Sequence, residues 1–182
     1  MNKEQLRKII NIKRNNLTKE YVDNISQQIV ERFLHYFDKY FSFILYCEKD
    51  NEVKASPLIN ILLSKKKVIY LPIYDKNICS FGRVFDFSEL ALSKYGILEP
   101  KNRSNVDQVD VIVVPGLAYD IRGNRLGRGA GFYDKVLKNL KVKFRIAFAY
   151  DFQVLDSIPA DDLDERVDFV ITEKKIIGGS NG

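Results

Sequence analysis

The residues best suited to chemistry fall in one stretch, 113–135, which reads VVPGLAYDIRGNRLGRGAGFYDK. It carries three arginines, Arg122, Arg125 and Arg128, and ends in an alternation in which Gly127, Gly129 and Gly131 are separated by Arg128 and Ala130. An apolar run at 111–114 stops before it at Pro115-Gly116, and the spacing of Phe132, Val136, Leu137 and Leu140 after it predicts a helix. Strand, glycine-rich loop and helix in that order present backbone N–H groups to an anion, because a helix N-terminus leaves those donors unpaired and carries partial positive charge. Three guanidinium groups in the same loop point to phosphate. Asp134, on the first turn of the expected helix, could bind a cation beside the phosphates, since Mg²⁺ sites commonly use one or two carboxylates together with phosphate oxygens.

Two common phosphate motifs do not fit. The spacing from Gly123 to Gly127 is one residue short of a Walker A loop, and Arg128-Gly129 stands where Lys-[Ser/Thr] is required. Nor do glycines at every second position make the G-x-G-x-x-G dinucleotide fingerprint. They do let the backbone approach a ligand at three points with no Cβ in the way.

The elements that must hold this loop alternate. Leu6, Ile9 and Ile10 predict a first helix, and Lys3 and Arg7, four residues apart on one of its faces, could reach the same anion. Thr18 is the expected N-cap of a second helix with the stripe Val22, Ile25, Ile29, Phe33 and Phe37. A buried strand is expected at 41–47. A helix opened by Ser56 as cap and Pro57 at its first position follows, then a strand at 68–71 ending at Pro72. Further expectations are a strand or hairpin at 78–87, a short helix at 88–94, a turn at 95–100, and strands at 144–149 and 167–172. This pattern predicts an α/β fold, a three-layer sandwich with a largely parallel central sheet flanked by helices. Ligands should gather at the carboxyl ends of the strands, where the loops after Val114, Cys47 and Ala149 converge.

Composition narrows the class. The 182 residues, 46% hydrophobic and 29% charged, suit a single domain over 1–177, with 178–182 a glycine-serine tail expected to be flexible. The net charge of +5 suits a small anionic ligand and falls short of a nucleic-acid footprint. His35 is the lone histidine and is read as structural, which disfavours a histidine metal site or a Ser-His-Asp triad. Cys47 and Cys79 read as buried free thiols of a reducing compartment. No apolar run approaches the roughly 20 residues of a membrane helix, and the basic N-terminus lacks the apolar centre of a secretory signal, so a cytoplasmic protein is expected.

The stretch PGLAYDIRGNRLGRGAGFYDK resembles the signature of the 5-formyltetrahydrofolate cyclo-ligase family, the methenyltetrahydrofolate synthetases, whose pattern runs approximately P-G-L-[AG]-[FY]-D-x-x-G-x-R-L-G-[RY]-G-x-G-[FY]-Y-D. Lys3-Glu4-Gln5-Leu6-Arg7 is similar to the family's opening K-x-x-[LI]-R, and 96–100 to its G-[IL]-x-E-P turn. Four departures stand out. Ala130 replaces a lysine found in some members, Ile73 an arginine after Pro72, Lys54-Ala55 an acidic residue and threonine, and Leu163 the polar residue before the second acidic ligand.

The resemblance implies an ATP-dependent ligase that turns 5-formyltetrahydrofolate, polyglutamylated or not, into 5,10-methenyltetrahydrofolate with release of ADP and phosphate. The formyl oxygen would be phosphorylated and N10 would then attack, so no protein nucleophile is needed. It also implies the site. Lys3, Arg7, Arg125, Gly127, Arg128, Gly129, Ala130, Gly131, Phe132 and Tyr133 would hold ATP, with Arg128 and Tyr133 acting on the reacting groups. Cys47, Glu52, Arg128, Gly129, Gly131 and Phe132 would meet the folate; without the resemblance Glu52 reads as an exposed loop charge. Asp134 and Asp164 would hold Mg²⁺, with Asp161 and Asp162 as the competing second ligands, and Gln153 would lie near the site. A monomer with no nucleic-acid or membrane partner is expected. Two other readings stay open: a basic nucleic-acid-binding α/β domain using Arg122, Arg125 and Arg128, and a sugar-phosphate enzyme of similar architecture that needs no ATP.

Overall fold

The computed structural model describes residues 1–75, 79–161 and 163–178. Its first helix, α1 (Lys3–Asn15), starts at a reciprocal cap: the Asn2 side chain accepts from the Gln5 N–H while the Gln5 side chain accepts from the Asn2 N–H. α2 (Lys19–Phe37) is capped by Thr18, whose hydroxyl accepts from the Tyr21 N–H, and it buries the predicted stripe of Val22, Ile25, Ile29, Phe33 and Phe37. Burying each of these side chains contributes roughly 1.5–3 kcal/mol.

Chain order then gives β1 (Ser42–Ile44), α3 (Ser56–Ser64), β2 (Val68–Tyr74), β3 (Cys79–Val84), β4 (Ala91–Leu92), β5 (Leu98–Glu99) and β6 (Gln108–Val113). After these come β7 (Ala118–Asp120), β8 (Arg125–Leu126), α4 (Phe132–Asn139), β9 (Lys141–Phe148), β10 (Val154–Leu155), β11 (Phe169–Ile171) and β12 (Ile176–Gly178). The main sheet has the order β12-β11-β9-β6-β1-β2-β3; its five inner strands are parallel, and β12 and β3 close the two edges antiparallel. Alternation along the inner strands sorts the core. Phe43, Leu45, Val111, Val113, Ile146 and Phe148 face α2 and α3, whereas Ile44, Ile112, Val114, Ala147 and Ala149 face Val136, Leu137 and Leu140 of and just after α4. The expected three-layer sandwich is the fold found. α1 lies outside these layers: Leu6 and Ile10 pack on Leu117, Ala118, Leu126 and Ile158, over a small sheet of order β10-β7-β8.

Several boundaries differ from expectation. The N-cap of α3 is Ala55, because the Ser56 hydroxyl and the 55 and 56 N–H groups bond the Glu48 carboxylate instead. β2 runs through Pro72 to Tyr74; β1 ends opposite Tyr70, so at Pro72 the strand has a neighbour on one side only and the missing N–H does no harm. The helix expected at 88–94 is a single 3₁₀ turn, Phe87–Glu89, capped by Asp86, after which the chain extends into the β4–β5 hairpin with Gly96 at φ +73°. Residues 167–172 hold the shorter β11, and β12 after it was not foreseen. Gly178 is the last residue of that strand; 179–182, like Ile78 and Asp162, lie outside the described residues.

Candidate functional site

In the parallel part of the sheet the chain moves outward in one direction from β1 to β2 and in the other from β6 to β9 to β11, so the order reverses between β1 and β6. Loops leaving the carboxyl ends of those two strands must diverge there and leave a crevice. The 114–131 loop and the 45–55 loop form its walls, and the turn after β9 ties them together. Tyr150 donates its hydroxyl to the Asn51 carbonyl, and the Gln153 amide donates to the carbonyls of Leu117 and Gly116. The resulting cleft has a volume of about 930 Å³, within the range of small-molecule sites.

The glycine loop is a hairpin followed by a tight entry into α4. Asp120, wholly buried, organises the hairpin by accepting from the N–H groups of Arg122, Asn124 and Ile158 and from the Asn124 amide. Beyond β8, Gly129 and Gly131 take φ of +106° and +65°, values at which a side chain would strain the backbone. Gly131 is the N-cap of α4 and offers no side-chain cap, and this end of the helix borders the cleft.

α1 closes over this loop. The Arg7 Nε donates to the Gly127 carbonyl at 3.0 Å, and a Cβ on Gly129 would sit 3.9 Å from the Arg7 guanidinium carbon. One helical turn earlier, Lys3 Nζ lies 2.6 Å from both Asp161 Oδ2 and Asp164 Oδ2. Burial of Asp164 pushes its carboxyl up, but the Lys3 hydrogen bond, the Asp161 N–H and the charges of Lys3 and Arg125 outweigh it and hold the group below the usual carboxylate range. Lys3 responds in kind: burial lowers it, and the bonds to the two carboxylates more than compensate, leaving it above the ordinary lysine value. Asp164 is the better-shielded carboxylate, 24% exposed against 74% for Asp161. Asp134 enters the same corner from α4. Its Oδ1 accepts from Arg125 Nη2 at 2.8 Å and from the Glu165 N–H at 3.3 Å, next to Asp164 in sequence.

Across the cleft, Arg128 Nη2 meets Glu52 Oε1 at 2.8 Å, joining the glycine loop to the 45–55 loop. Glu52 is 10% exposed rather than the free loop charge its sequence context suggests, and its Oε2 accepts from the Lys49 N–H. Arg128 is pulled down by burial and raised further by the Glu52 charge and hydrogen bond, for a net increase. Between the two loops stand Tyr74 and Tyr133, hydroxyl to hydroxyl at 3.3 Å, with Phe132 packed on both rings. Burial, and then the Tyr74 hydroxyl, push Tyr133 well above its ordinary value, and burial takes Tyr74 to about 12, so both are protonated donors. Cys47 lines the cleft as a neutral thiol, raised to about 12 by burial and then by the Glu48 charge.

All the expected site residues line this one cleft, but not all in the expected manner. Arg125 is the most enclosed of the expected phosphate contacts. Its side chain is 4% exposed, with Nη2 on Asp134 and Nη1 3.4 Å from the Pro115 carbonyl, so here it braces Asp134 and the strand end. Gln153 sits behind the site as a backbone clamp, 2% exposed. Arg122 is 62% exposed beside Asp120, so the loop's three arginines do not make a common basic face. Sequence reasoning missed Tyr74, hidden by ending β2 at Pro72, and missed Arg14, a basic residue in a basic helix that is nonetheless 3% exposed. A signal was available for Arg14: it continues the buried stripe Leu6, Ile10 at a spacing of four.

A doubly flanked, mostly parallel sheet carries at its switch point a cationic glycine loop, two neighbouring carboxylates and an aromatic wall, an arrangement suited to an anionic small molecule. Residues 1–173 match the model of the 5-formyltetrahydrofolate cyclo-ligase family, and the chain belongs to that family of ligases. It is 31% identical over 173 residues to the 5-formyltetrahydrofolate cyclo-ligase of Haemophilus influenzae, covering 89% of this chain and 92% of that protein. The cyclo-ligase of Escherichia coli K12 is 29% identical over 179 residues, covering 92% and 98%. The solution structure of Aquifex aeolicus 5,10-methenyltetrahydrofolate synthetase superposes with a TM-score of 0.89 at 37% identity, covering 100% of this chain and 95% of that one.

Proposed function

We propose that this chain is a 5-formyltetrahydrofolate cyclo-ligase that uses MgATP and forms 5,10-methenyltetrahydrofolate, ADP and phosphate. Family membership supports the overall activity. The observation that carries the finer reading is the closure of α1 over the glycine loop, which gathers Lys3, Arg7, Arg128 and the N-terminus of α4 beside Asp134 and Asp164 in one cleft.

The residues present fit a magnesium ion. Asp134 and Asp164 each use one oxygen in hydrogen bonds, and none falls on Asp134 Oδ2 or Asp164 Oδ1 among the described residues. Two carboxylate oxygens at the edge of a phosphate site are the usual protein contribution to Mg²⁺, which takes the rest of its shell from phosphates and water. When bound it would neutralise charge on the β- and γ-phosphates.

The chain's own groups would then work by position and charge. Lys3 and Arg7 reach the nucleotide from α1, and the loop amides and Arg128 face the transferring phosphoryl group. The formyl oxygen of the folate attacks the γ-phosphorus, and the bond to the β–γ bridging oxygen breaks, so ADP leaves with that electron pair. The formyl carbon, now bearing the phosphorylated oxygen, is attacked by the N10 lone pair. N10 loses its proton, and the C–O bond to phosphate breaks to leave the N5–C–N10 amidinium. Phe132, Tyr74 and Tyr133 give a flat ring an apolar wall with two hydroxyl donors, and Glu52 offers a carboxylate to paired N–H donors at its edge. No protein nucleophile is needed, and the protonated Cys47 thiol would serve as lining.

The test is to incubate the purified chain with 5-formyltetrahydrofolate and MgATP and follow the methenyl absorbance. Product formation that requires both ATP and the metal supports the reading. Turnover of neither substrate, with folded protein, overturns it.

A further inference from the structure

Arg14 has no part in the chemistry above, yet its environment is unusual. It lies on α1 at helical spacing from Lys3 and Arg7, so the three share one side of the helix. Its side chain is 3% exposed, and its Nε and Nη1 have no hydrogen-bond partner among the described residues. A buried guanidinium with two unmet nitrogens is a standing penalty, and an unbranched apolar side chain would fill the space without it. The gap beside it, bounded by Tyr46, Pro115, Phe148 and Gln153, admits no water molecule, so those nitrogens do not await a ligand.

What Arg14 does face is Glu52. Its Nη2 is 3.9 Å from Glu52 Oε1, the same oxygen that Arg128 meets at 2.8 Å, and 3.5 Å from the Lys49 carbonyl. The 45–55 loop is also pinned to the end of α1, since the Asn51 amide donates to the carbonyls of Arg14 and Leu17. Glu52 therefore lies between two cations of different freedom. Arg128 is 46% exposed and sits on the glycine loop, where it can turn to a phosphate. Arg14 is enclosed and cannot leave.

We propose that Arg14 is a positioning residue for the folate: it holds Glu52 as a charged, aimed acceptor once Arg128 is drawn away to the phosphoryl group. The inference rests on the reading of Glu52 and Arg128 given above. One helix then carries nucleotide contacts at its start and, at its end, the anchor of the carboxylate that meets the second substrate.

The experiment compares Arg14→Met, Arg14→Gln and Arg14→Lys with the unmodified protein in KM for 5-formyltetrahydrofolate, KM for ATP, kcat and melting temperature. Both neutral variants are expected to raise the folate KM tenfold or more with the ATP KM changed by less than twofold, and Arg14→Lys to recover most of the loss. Calorimetric titration with 5-formyltetrahydrofolate in the presence of MgADP should show the same order of affinity. A lowered melting temperature with both KM values unchanged overturns the proposal, as does an equal rise in both, or failure of both neutral variants to fold, each of which marks a merely structural arginine. If the unmodified protein makes no methenyl product the proposed function fails first; activity in the parent with a folate KM indifferent to Arg14 counts against this inference alone.

Discussion

Arg125→Met separates two readings of the glycine loop that make opposite demands on the protein. If Arg125 is a phosphate contact, as its sequence context implies, the variant loses nucleotide affinity and keeps its stability. The structure predicts the reverse emphasis. Arg125 is 4% exposed and pairs at 2.8 Å with Asp134, itself 23% exposed. Removing one member of a buried pair typically costs 3–5 kcal/mol. Solvent reaching Asp134 weakens that penalty, and Arg125 Nε, which has no hydrogen-bond partner among the described residues, is relieved by the change. The net loss should be about 2–3 kcal/mol, which for a chain of this size lowers the melting temperature by roughly 4–12 °C. In the double variant Arg125→Met/Asp134→Asn no uncompensated charge remains, so at least about 1 kcal/mol should be recovered relative to the sum of the single changes. Thermal unfolding followed by circular dichroism measures all three. A single variant that melts within 1 °C of the parent while ATP binding is lost would refute the assignment and return Arg125 to the triphosphate.

Other expectations follow from the same geometry. Asp134→Asn should leave the chain folded and raise the Mg²⁺ concentration needed for half-maximal activity at least tenfold, read by metal titration under saturating ATP; an unchanged titration would remove Asp134 from the metal. Arg128→Ala should cut kcat by 100-fold or more under the proposed role, in which its charge stabilises the phosphoryl group, and turnover near the parent's would discard that role. The Lys3–Asp164 pair has a pH signature. Asp164 lies below its ordinary 3.8, so its share of stability is present above that value and fades as pH falls further; Lys3 lies above 10.5, so its share holds up to that value and is lost at higher pH. The melting-temperature gap between parent and Lys3→Met should accordingly be flat from about pH 4 to 10 and close at either end. Cys47, held as a thiol to about 12, should be alkylated at pH 8 at least 100-fold more slowly than a free cysteine, measured by mass spectrometry of its peptide.

How far each feature was legible depends on how local its cause is. The stripe of α2, its Thr18 cap and the α/β alternation follow from spacing and composition within a single element, and the structure reproduces them. The helix expected at 88–94 is instead the 3₁₀ turn and the first strand of the hairpin, because the deciding features are a two-residue Asx cap and a hydrogen-bonded pairing between short segments, neither of which has a period. Tyr74 was invisible because a proline ends a strand only where a neighbouring strand needs the N–H it lacks, and whether a neighbour lies on that side is a property of the sheet.

The site divides the same way. Residue types and their order settled which groups this protein could bring to an anion: a cationic glycine loop, a basic first helix and carboxylates far along the chain. Only the tertiary structure decided which charges are spent on each other. Arg125 and Arg128 are three residues apart in one loop, yet the first is sealed against Asp134 and the second spans the cleft to Glu52. Burial and partnership set what a charged side chain can do, and both depend on the chain brought against it from elsewhere in the fold.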